Sequence, residues 1–195
     1  YDAHYLHLFL WDKENCCIAG AYRMGLTDEI ISRYGKEGLY NNQFFHFDDE
    51  ALAKMTPGME MGRAFITEQY QRRPLSLGLI WEGIGQFIAK FPHYRYLFGT
   101  VSTSGSYTTL SHALIISFLK AHAMDEELAS LIKARKPPNV KKLKGSENRI
   151  LPVGVKDAQD LSSIVSDIES DGKGIPVLLR QYLKLNGKII SFGID

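Results

Sequence analysis

The sequence predicts an α/β (α+β) fold in which helices cover both faces of a mixed central β-sheet. Three observations predict this fold. The chain has 195 residues, of which 45% are hydrophobic and 23% charged, so it can bury a substantial core. Segments rich in β-formers come first, and segments with helical periodicity then alternate with them. Finally, a strand–helix–strand unit across residues 59–102 requires a parallel strand pair joined by a right-handed crossover.

The first part of the chain is predicted to form strands with short helices between them. Residues 5–11 and 16–25 are rich in β-formers and flank a polar turn, which predicts a β-hairpin. The elements predicted after the hairpin are, in order, a helix at residues 28–33, a strand at 38–47, a short helix at 48–54 and a strand at 59–67.

The clearest helix follows, because apolar residues recur at helical spacing from Leu77 to Phe91 and Pro92 ends the pattern. Its three glycines, Gly78, Gly83 and Gly85, predict close packing against the sheet or against a ligand, since glycine in a helix costs about 1 kcal/mol relative to alanine. The later predictions are a strand at residues 94–102, a helix at 110–121 capped by Ser106 or Thr108, helices at 157–169 and 175–185, and a strand at 188–193.

Charge and cysteine content exclude some classes of protein. The chain has 23 Lys and Arg against 22 Asp and Glu, and this near-neutral balance gives no support to a dedicated nucleic-acid binder. No apolar run approaches the roughly 18 residues of a membrane-spanning helix. Cys16 and Cys17 are adjacent and form no disulfide framework, which predicts a reducing, cytoplasmic compartment. Only His4 and His7 have a helical metal-ligand spacing, and a predicted strand would place them on opposite faces, so no metal site is predicted.

One segment departs from the neutral average. Residues 133–144 contain six Lys or Arg side chains and the pair Pro137-Pro138, which predicts an exposed basic loop. Two interpretations remain open: a solvated loop, or a docking surface for an acidic carrier protein or for an anionic membrane.

Arg23 is the first candidate site residue. It shares a strand face with small apolar residues, so we expect it to be partly buried and to need a carboxylate partner. Glu60 is the candidate partner. Arg63 follows in Glu60-Met61-Gly62-Arg63, and a bulge near Gly62 would bring Glu60 and Arg63 to the same face of the strand. On spacing alone, both a structural ion-pair network and a functional site remain open.

A second candidate site lies at residues 71–78, where a polar loop runs into a helix N-terminus. Free backbone N–H groups and the helix dipole suit phosphate at such a place. Arg72 and Arg73 add positive charge, and the small residues Ser76 and Gly78 allow a ligand to approach the backbone closely. An ordinary loop before a helix is the alternative interpretation.

These segments resemble the hemolysin-like acyltransferases of the GNAT superfamily over nearly the whole chain. The motifs that carry the resemblance are Gly20-Ala21-Tyr22-Arg23, Glu60-Met61-Gly62-Arg63, Tyr70-Gln71-Arg72, Leu79-Ile80-Trp81-Glu82-Gly83-Ile84, Tyr96-Leu97-Phe98-Gly99-Thr100-Val101-Ser102 and Pro176-Val177-Leu178-Leu179-Arg180-Gln181-Tyr182-Leu183. The resemblance implies a GNAT-like acyl-CoA N-acyltransferase fold with splayed central strands. The same frame is similar to the homoserine-lactone autoinducer synthases, and Asp2 resembles the end of their acidic N-terminal motif.

The resemblance implies an N-acyltransferase related to the enzymes that make ornithine and glycine aminolipids. It implies transfer of a fatty or hydroxy-fatty acyl group from an acyl-carrier-protein or CoA thioester to the amine of an amino acid. The donor would be a substrate, with no permanently bound cofactor. The implied partners are acyl carrier protein and a small amine acceptor, with peripheral contact at the inner membrane through residues 133–144.

The resemblance also implies roles for individual residues. Glu60 would take the proton of the amine, and Arg23 and Arg63 would hold the acceptor carboxylate or Glu60 itself. Tyr107 would protonate the leaving thiolate. A backbone N–H on the bulged strand would serve the oxyanion. The residues that would contact the pantetheine arm and phosphate of the donor are Phe65, Ile66, Gln71, Arg72, Arg73, Ser76, Gly78 and Ser102.

Two departures from the family pattern affect these expectations. Ser76 stands where the usual phosphate loop has its first glycine, which suits a carrier-protein donor better than CoA. Family members also have a strand and helix before the position where this chain begins. We therefore expect residues 1–195 to be a single GNAT-like domain taken from a longer protein. The alternatives are a non-catalytic acyl-carrier or lipid-binding module attached to a phospholipid O-acyltransferase, and an autoinducer-type synthase.

Overall fold

A computed structural model describes residues 1–71, 75–138 and 155–194 of the chain. The chain divides into two compact units, Tyr1–Thr100 and Val101–Asp195. The expectation of a single domain stays a prediction.

The first unit is built around a four-stranded sheet. Its elements in chain order are a 3₁₀ turn at Asp2–His4, β1 (Leu6–Asp12), β2 (Cys17–Leu26), α1 (Thr27–Tyr34), 3₁₀ turns at Lys36–Gly38 and Tyr40–Gln43, β3 (Phe45–Phe47), α2 (Asp49–Met55), β4 (Gly58–Ile66), α3 (Glu68–Gln71), α4 (Leu75–Lys90) and β5 (Tyr96–Gly99). The strand order is β1-β2-β4-β5. The β1–β2 and β2–β4 pairs are antiparallel, and the β4–β5 pair is parallel, so the predicted hairpin and mixed sheet are confirmed.

Helices lie on both faces of this sheet. On one face, Tyr22, Met24, Met59 and Met61 form a buried cluster with Ile80 and Ile84 of α4. On the other face, Gly25 lies against the Tyr5 ring and against Ile30 of α1, with no room for a Cβ atom. The expected α/β architecture is therefore confirmed, and burial of the apolar stripe of α4 explains why this segment is helical.

The two central strands, β4 and β5, separate after a short parallel ladder. The β4–β5 pairing covers only four residue pairs and ends at Met61 and Gly99. Strand β4 continues to Ile66, still paired with β2, while β5 ends at Gly99. This leaves one edge of β4 without β5 as a partner beyond Met61, as the predicted splay requires.

The prediction of a strand across residues 38–47 is wrong for most of its length. Only Phe45–Phe47 is extended, and 3₁₀ turns occupy Lys36–Gly38 and Tyr40–Gln43. The physical reason is that the backbone N–H groups of Tyr40 and Asn41 donate to the side chain of Glu60. Hydrogen bonds to a buried carboxylate replace the ladder that the β-forming residues suggested.

The second unit has its own apolar core. Its elements are α5 (Thr109–His122), α6 (Glu126–Leu131), β6 (Ile132–Ala134), α7 (Ala158–Ile168) and α8 (Val177–Lys184). Leu114 and Phe118 of α5 are buried with Leu161 and Val165 of α7 and with Leu179 of α8. Thr108 caps α5 through its side chain, as one of the two predicted caps. The sequence patterns did not predict α6 or β6.

Two predicted strands are shorter than expected. The strand predicted at residues 94–102 covers only Tyr96–Gly99, so Ser102 lies outside it. The strand predicted at residues 188–193 is reduced to a single bridge between Ile189 and Met124.

Of the α4 glycines, Gly83 packs against Leu8 as predicted, but the Cβ positions of Gly78 and Gly85 face open space. No helix in residues 1–71, 75–138 or 155–194 combines the length and apolar content needed to cross a membrane.

Candidate functional site

Glu60 lies near the start of β4 and is only 2% exposed. One carboxylate oxygen accepts hydrogen bonds from the Tyr5 hydroxyl and from the Tyr40 backbone N–H, the latter at 2.9 Å. The other oxygen accepts from the Asn41 backbone N–H at 2.5 Å. Burial raises the pKa of Glu60, and these hydrogen bonds oppose that rise by stabilising the charged form. Glu60 is therefore a buried carboxylate whose pKa is raised by burial and partly lowered again by its hydrogen-bond donors.

Arg23 lies next to this carboxylate on the same sheet face, and it is 3% exposed. Its guanidinium carbon is 4.8 Å from the Tyr5 ring centre and 4.7 Å from the Tyr40 ring centre, so two aromatic rings flank it. Its Nη1 donates to Asp2 Oδ1 at 2.6 Å. This hydrogen bond from Arg23 lowers the pKa of Asp2.

The predicted burial of Arg23 is confirmed, but the expected partner is wrong. Asp2, rather than Glu60, makes the close ion pair with Arg23. Glu60 instead accepts hydrogen bonds from the Tyr5 hydroxyl and from the backbone N–H groups of Tyr40 and Asn41. Among the described residues, Arg23 Nε and Asn41 Oδ1 are buried without a hydrogen-bond partner. The cluster therefore has one donor and one acceptor that could bind a ligand.

Arg63 reaches this same face because β4 is irregular at the predicted position. The β2–β4 register shifts between Ala21 and Arg23, and Arg63 adopts a positive φ of 47°. This bulge inserts one extra residue into β4 and redirects a side chain that strict alternation would send to the opposite face. Arg63 Nη1 lies 3.9 Å from Asp2 Oδ2, and its side chain is 66% exposed. The bulge thus brings Arg63 to the Arg23–Asp2 pair, while the contacts of Glu60 are with Tyr5, Tyr40 and Asn41.

The predicted donor residues occupy different environments. Phe65 is 49% exposed, whereas Ile66 packs against the buried cluster on the α4 face. The side-chain amide of Gln71 donates to the Ile66 carbonyl at 2.9 Å, and the buried Ser76 hydroxyl donates to the Tyr70 carbonyl at 3.1 Å. Arg72 and Arg73 lie outside the described residues. Ser76 and Gln71 therefore brace the chain around the start of α4, and Gly78 faces open space there.

A further cluster fixes the same region from the hairpin. The Tyr70 hydroxyl donates to Asp12 Oδ2, which also accepts from the Asn15 amide at 2.9 Å. The hydrogen bond from Tyr70 is the largest cause of the lowered pKa of Asp12, and the same bond raises the pKa of Tyr70. The sulfur of Cys17 lies 3.5 Å from the Tyr70 hydroxyl. Asp12 and Tyr70 thus tie the β1–β2 turn to the segment that precedes α4.

Tyr107 and Ser102 belong to the second unit. The Tyr107 hydroxyl donates to the Gly174 carbonyl at 2.6 Å, and partial burial raises its pKa. The ammonium group of Lys173 lies 4.8 Å from the centre of the Tyr107 ring. The role expected for Tyr107 as a proton donor stays a prediction. In the basic segment, Lys133 and Lys136 are exposed, and Lys141, Lys142 and Lys144 lie outside the described residues.

Sequence patterns missed the residues that complete the cluster. Tyr5, Tyr40 and Asn41 lie 55, 20 and 19 positions from Glu60 in the chain, so no short motif joins them. The available signal was chemical: a buried glutamate requires donors, and tyrosine hydroxyls and backbone N–H groups are common donors.

Comparison with known families gives a match for part of the chain. Residues 1–81 match the family model described as an acetyltransferase (GNAT) domain. The match spans the hairpin, the bulged strand and the first turns of α4, and thus covers the cluster around Glu60. No curated protein and no solved structure gives a significant match. The part of the chain that holds Glu60, Arg23 and Arg63 is therefore similar to the GNAT acetyltransferase domain.

Proposed function

We propose that the chain is an N-acyltransferase that acylates the amine of an acceptor bearing a carboxylate, such as an amino acid. The observation that carries this proposal is the placement of Glu60 and two arginines on one sheet face, where β4 and β5 separate. The similarity of residues 1–81 to an acetyltransferase domain supports the same chemistry.

The reaction requires a base, a site for the acceptor and an oxyanion site. The acceptor nitrogen attacks the thioester carbonyl, a C–N bond forms, and the C–S bond breaks with the electron pair leaving on sulfur. The proton lost from nitrogen passes to Glu60, by way of the Tyr5 hydroxyl or a water, and the thiolate takes up a proton. A raised Glu60 pKa favours this transfer. The exposed Arg63 guanidinium would bind the acceptor carboxylate, and a backbone N–H at the β4 bulge would stabilise the oxyanion.

The donor is proposed to be an acyl thioester of carrier protein or CoA. Its pantetheine arm would lie along the edge of β4 that β5 leaves beyond Met61. The exposed side chains of Lys133 and Lys136 would favour an acidic carrier protein. The proposed acceptor is an amino acid, and the proposed product is an acyl amino acid, as in aminolipid synthesis.

One observation favours a second candidate function. Both oxygens of Glu60 already accept hydrogen bonds, and its side chain is almost fully buried. A carboxylate in this state also fits a purely structural role, as in a non-catalytic module that binds acyl carrier protein or lipid.

The test is an assay of the full chain with octanoyl thioesters of carrier protein and CoA, and glycine or ornithine as acceptor. Glu60→Gln is expected to lower kcat on the order of 100-fold or more, because the base is lost. Arg63→Gln, at an exposed position, is expected to raise the acceptor KM instead.

Glu14→Gln, in the exposed hairpin turn, is the matched control and should leave both constants unchanged. Circular dichroism shows whether each variant folds. Turnover that survives Glu60→Gln would overturn the site assignment. Thioester binding without acylation of any amine would favour the binding module.

A further inference from the structure

An exposed apolar row crosses the sheet beside the candidate site. Phe9 of β1 pairs with Ala21 of β2, and Ala21 pairs with Phe65 of β4. Directly paired residues of antiparallel strands project from the same face, so the two phenyl rings flank a small residue. Phe9 is 54% exposed and Phe65 is 49% exposed. The row is a shallow trough with Ala21 as its floor.

The trough runs directly alongside the charged cluster. The neighbouring row on the same face consists of His7, Arg23 and Gly62. At the β4 end, Phe65 is two residues from Arg63, whose bulged backbone directs the guanidinium to the Asp2 carboxylate on this face. Arg23 Nε is a buried donor without a partner among the described residues. A cationic end and an apolar span are therefore contiguous.

The two faces of the sheet differ in how far their apolar side chains are buried. On the α4 face, Tyr22, Met24 and Met61 are buried against the helix. On the opposite face, aromatic rings cover Arg23, while the next row leaves Phe9 and Phe65 half in water. Burying such rings against a hydrocarbon removes apolar surface from water and is favourable. The ligand that fits both halves has an anionic head and an apolar chain.

The geometry points to a binding site for an amphiphilic carboxylate, with its head at Arg63 and its hydrocarbon chain across Phe65, Ala21 and Phe9. The identification of this ligand as an N-acyl amino acid, the product of acylation, rests on the proposed function. The row crosses two interstrand gaps, about 10 Å in all, which an extended chain on the order of eight carbons would span.

The test measures direct binding of N-acylglycines to the full chain by calorimetry, without any acyl donor. Affinity is expected to rise about twofold per methylene from N-acetylglycine to N-octanoylglycine, because a shallow trough buries about half of each methylene, and then to level off at N-lauroylglycine, because longer chains pass the edge of β1. Phe9→Ser and Phe65→Ser should each weaken N-octanoylglycine binding about tenfold and leave N-acetylglycine binding unchanged.

Two controls separate the apolar and charged parts of the site. Leu185→Ser, at an exposed apolar residue of the second unit, should leave N-octanoylglycine binding unchanged. Arg63→Gln should remove the preference for N-octanoylglycine over its uncharged amide, while the chain-length dependence remains. Thermal melts show whether each variant folds.

The outcomes distinguish this inference from the proposed function. Chain-length dependence that Phe9→Ser and Phe65→Ser abolish supports the site, even where no amine is acylated. The site is overturned, while the proposed function stands, if the protein turns over substrate but its affinity for N-acylglycines does not depend on chain length. The same holds if both serine variants keep the wild-type affinity for N-octanoylglycine. Sedimentation that shows a dimer, lost in Phe9→Ser, would assign the row to a second copy of the chain and overturn the inference.

Discussion

At the scale of the residue, Glu60 shows how a buried carboxyl group is kept in place. Burial disfavours its charged form, while three donors from distant parts of the chain favour it. Tyr5 has a special position among them, because its hydroxyl donates to Glu60 and also accepts the Tyr40 N–H at 2.9 Å. Tyr5 thus lowers the pKa of Glu60 against the larger effect of burial, and it also binds the Tyr40 backbone beside it.

Tyr5→Phe is expected to raise the pKa of Glu60 further, because one hydrogen bond to the charged form is lost and burial remains. If Glu60 acts as the base, the acidic limb of the kcat/KM profile moves to higher pH. The unfolding free energy falls by about 1–3 kcal/mol, since a buried carboxylate loses a donor.

The measurements are the pH profile of acylation and urea unfolding at neutral pH. Tyr34→Phe, at an exposed tyrosine of α1, should shift neither. An acidic limb that stays in place in a folded Tyr5→Phe protein would contradict the role given to Glu60.

At the scale of the element, the bulge in β4 decides which side chains share a face. The extra residue lies between the pairs that Ala21 and Arg23 make with β4, and Arg63 takes a left-handed backbone conformation there. The sequence hinted at this bulge through Gly62, which lies against the Arg23 guanidinium. The sequence could not fix the partner of each charge, because partner choice depends on the 3₁₀ turns at Asp2–His4 and Tyr40–Gln43.

Substitutions at Arg63 should distinguish the contribution of its backbone conformation to stability from the contribution of its side chain to acceptor binding. Arg63→Asn is expected to keep the unfolding free energy, because asparagine tolerates positive φ. Arg63→Val is expected to lower it by about 1–3 kcal/mol, because a β-branched residue is strained at this φ. Both variants lose the guanidinium, so both should bind the acceptor carboxylate poorly.

Urea unfolding of the two variants at one pH is the measurement, and Phe65→Val in the same strand is the control for β-branching itself. Equal stabilities for Arg63→Asn and Arg63→Val would show that the bulge is absent in solution.

At the scale of the whole molecule, each unit carries its own buried core and its own buried carboxylate. In the second unit, Glu169 accepts from the Thr108 N–H and hydroxyl at 2.9 Å each, at the start of α5. Hydrogen bonds from Ser111 and Thr108 hold the pKa of Glu169 at about 2. This carboxylate ties the segment after α7 to the cap of α5.

Glu169→Gln is expected to lower the stability of the second unit at neutral pH and to change its acid sensitivity. The folded pKa is about 2 and the ordinary value is 4.5, so the contribution of Glu169 is complete above about pH 4.5. It is lost as the pH falls toward 2. The melting temperatures of wild type and Glu169→Gln should therefore differ most near pH 6 and converge near pH 2.

Thermal melts followed by circular dichroism at pH 6, 4 and 2.5 provide the measurement. Glu126→Gln, in the first turn of α6, is the control. A difference between wild type and Glu169→Gln that stays constant across these pH values would contradict the assignment.

Sequence patterns predicted part of the secondary structure and named Arg23, Glu60 and Arg63 as candidate residues, but they missed α6, β6 and the turns at residues 36–43. Periodicity predicted the hairpin, α4 and α5, because the spacing of the apolar residues in each element identifies the face that it buries. The burial of Arg23 followed from strand geometry, whereas a bulge near Gly62 was only a condition under which Glu60 and Arg63 would share a face. Tertiary structure alone decided that Asp2 pairs with Arg23, that residues 40–43 turn toward Glu60, and that Phe9 and Phe65 lie beside the arginines. The physical reason is that these contacts join residues far apart in the chain, where a buried charge takes whichever donors folding brings to it.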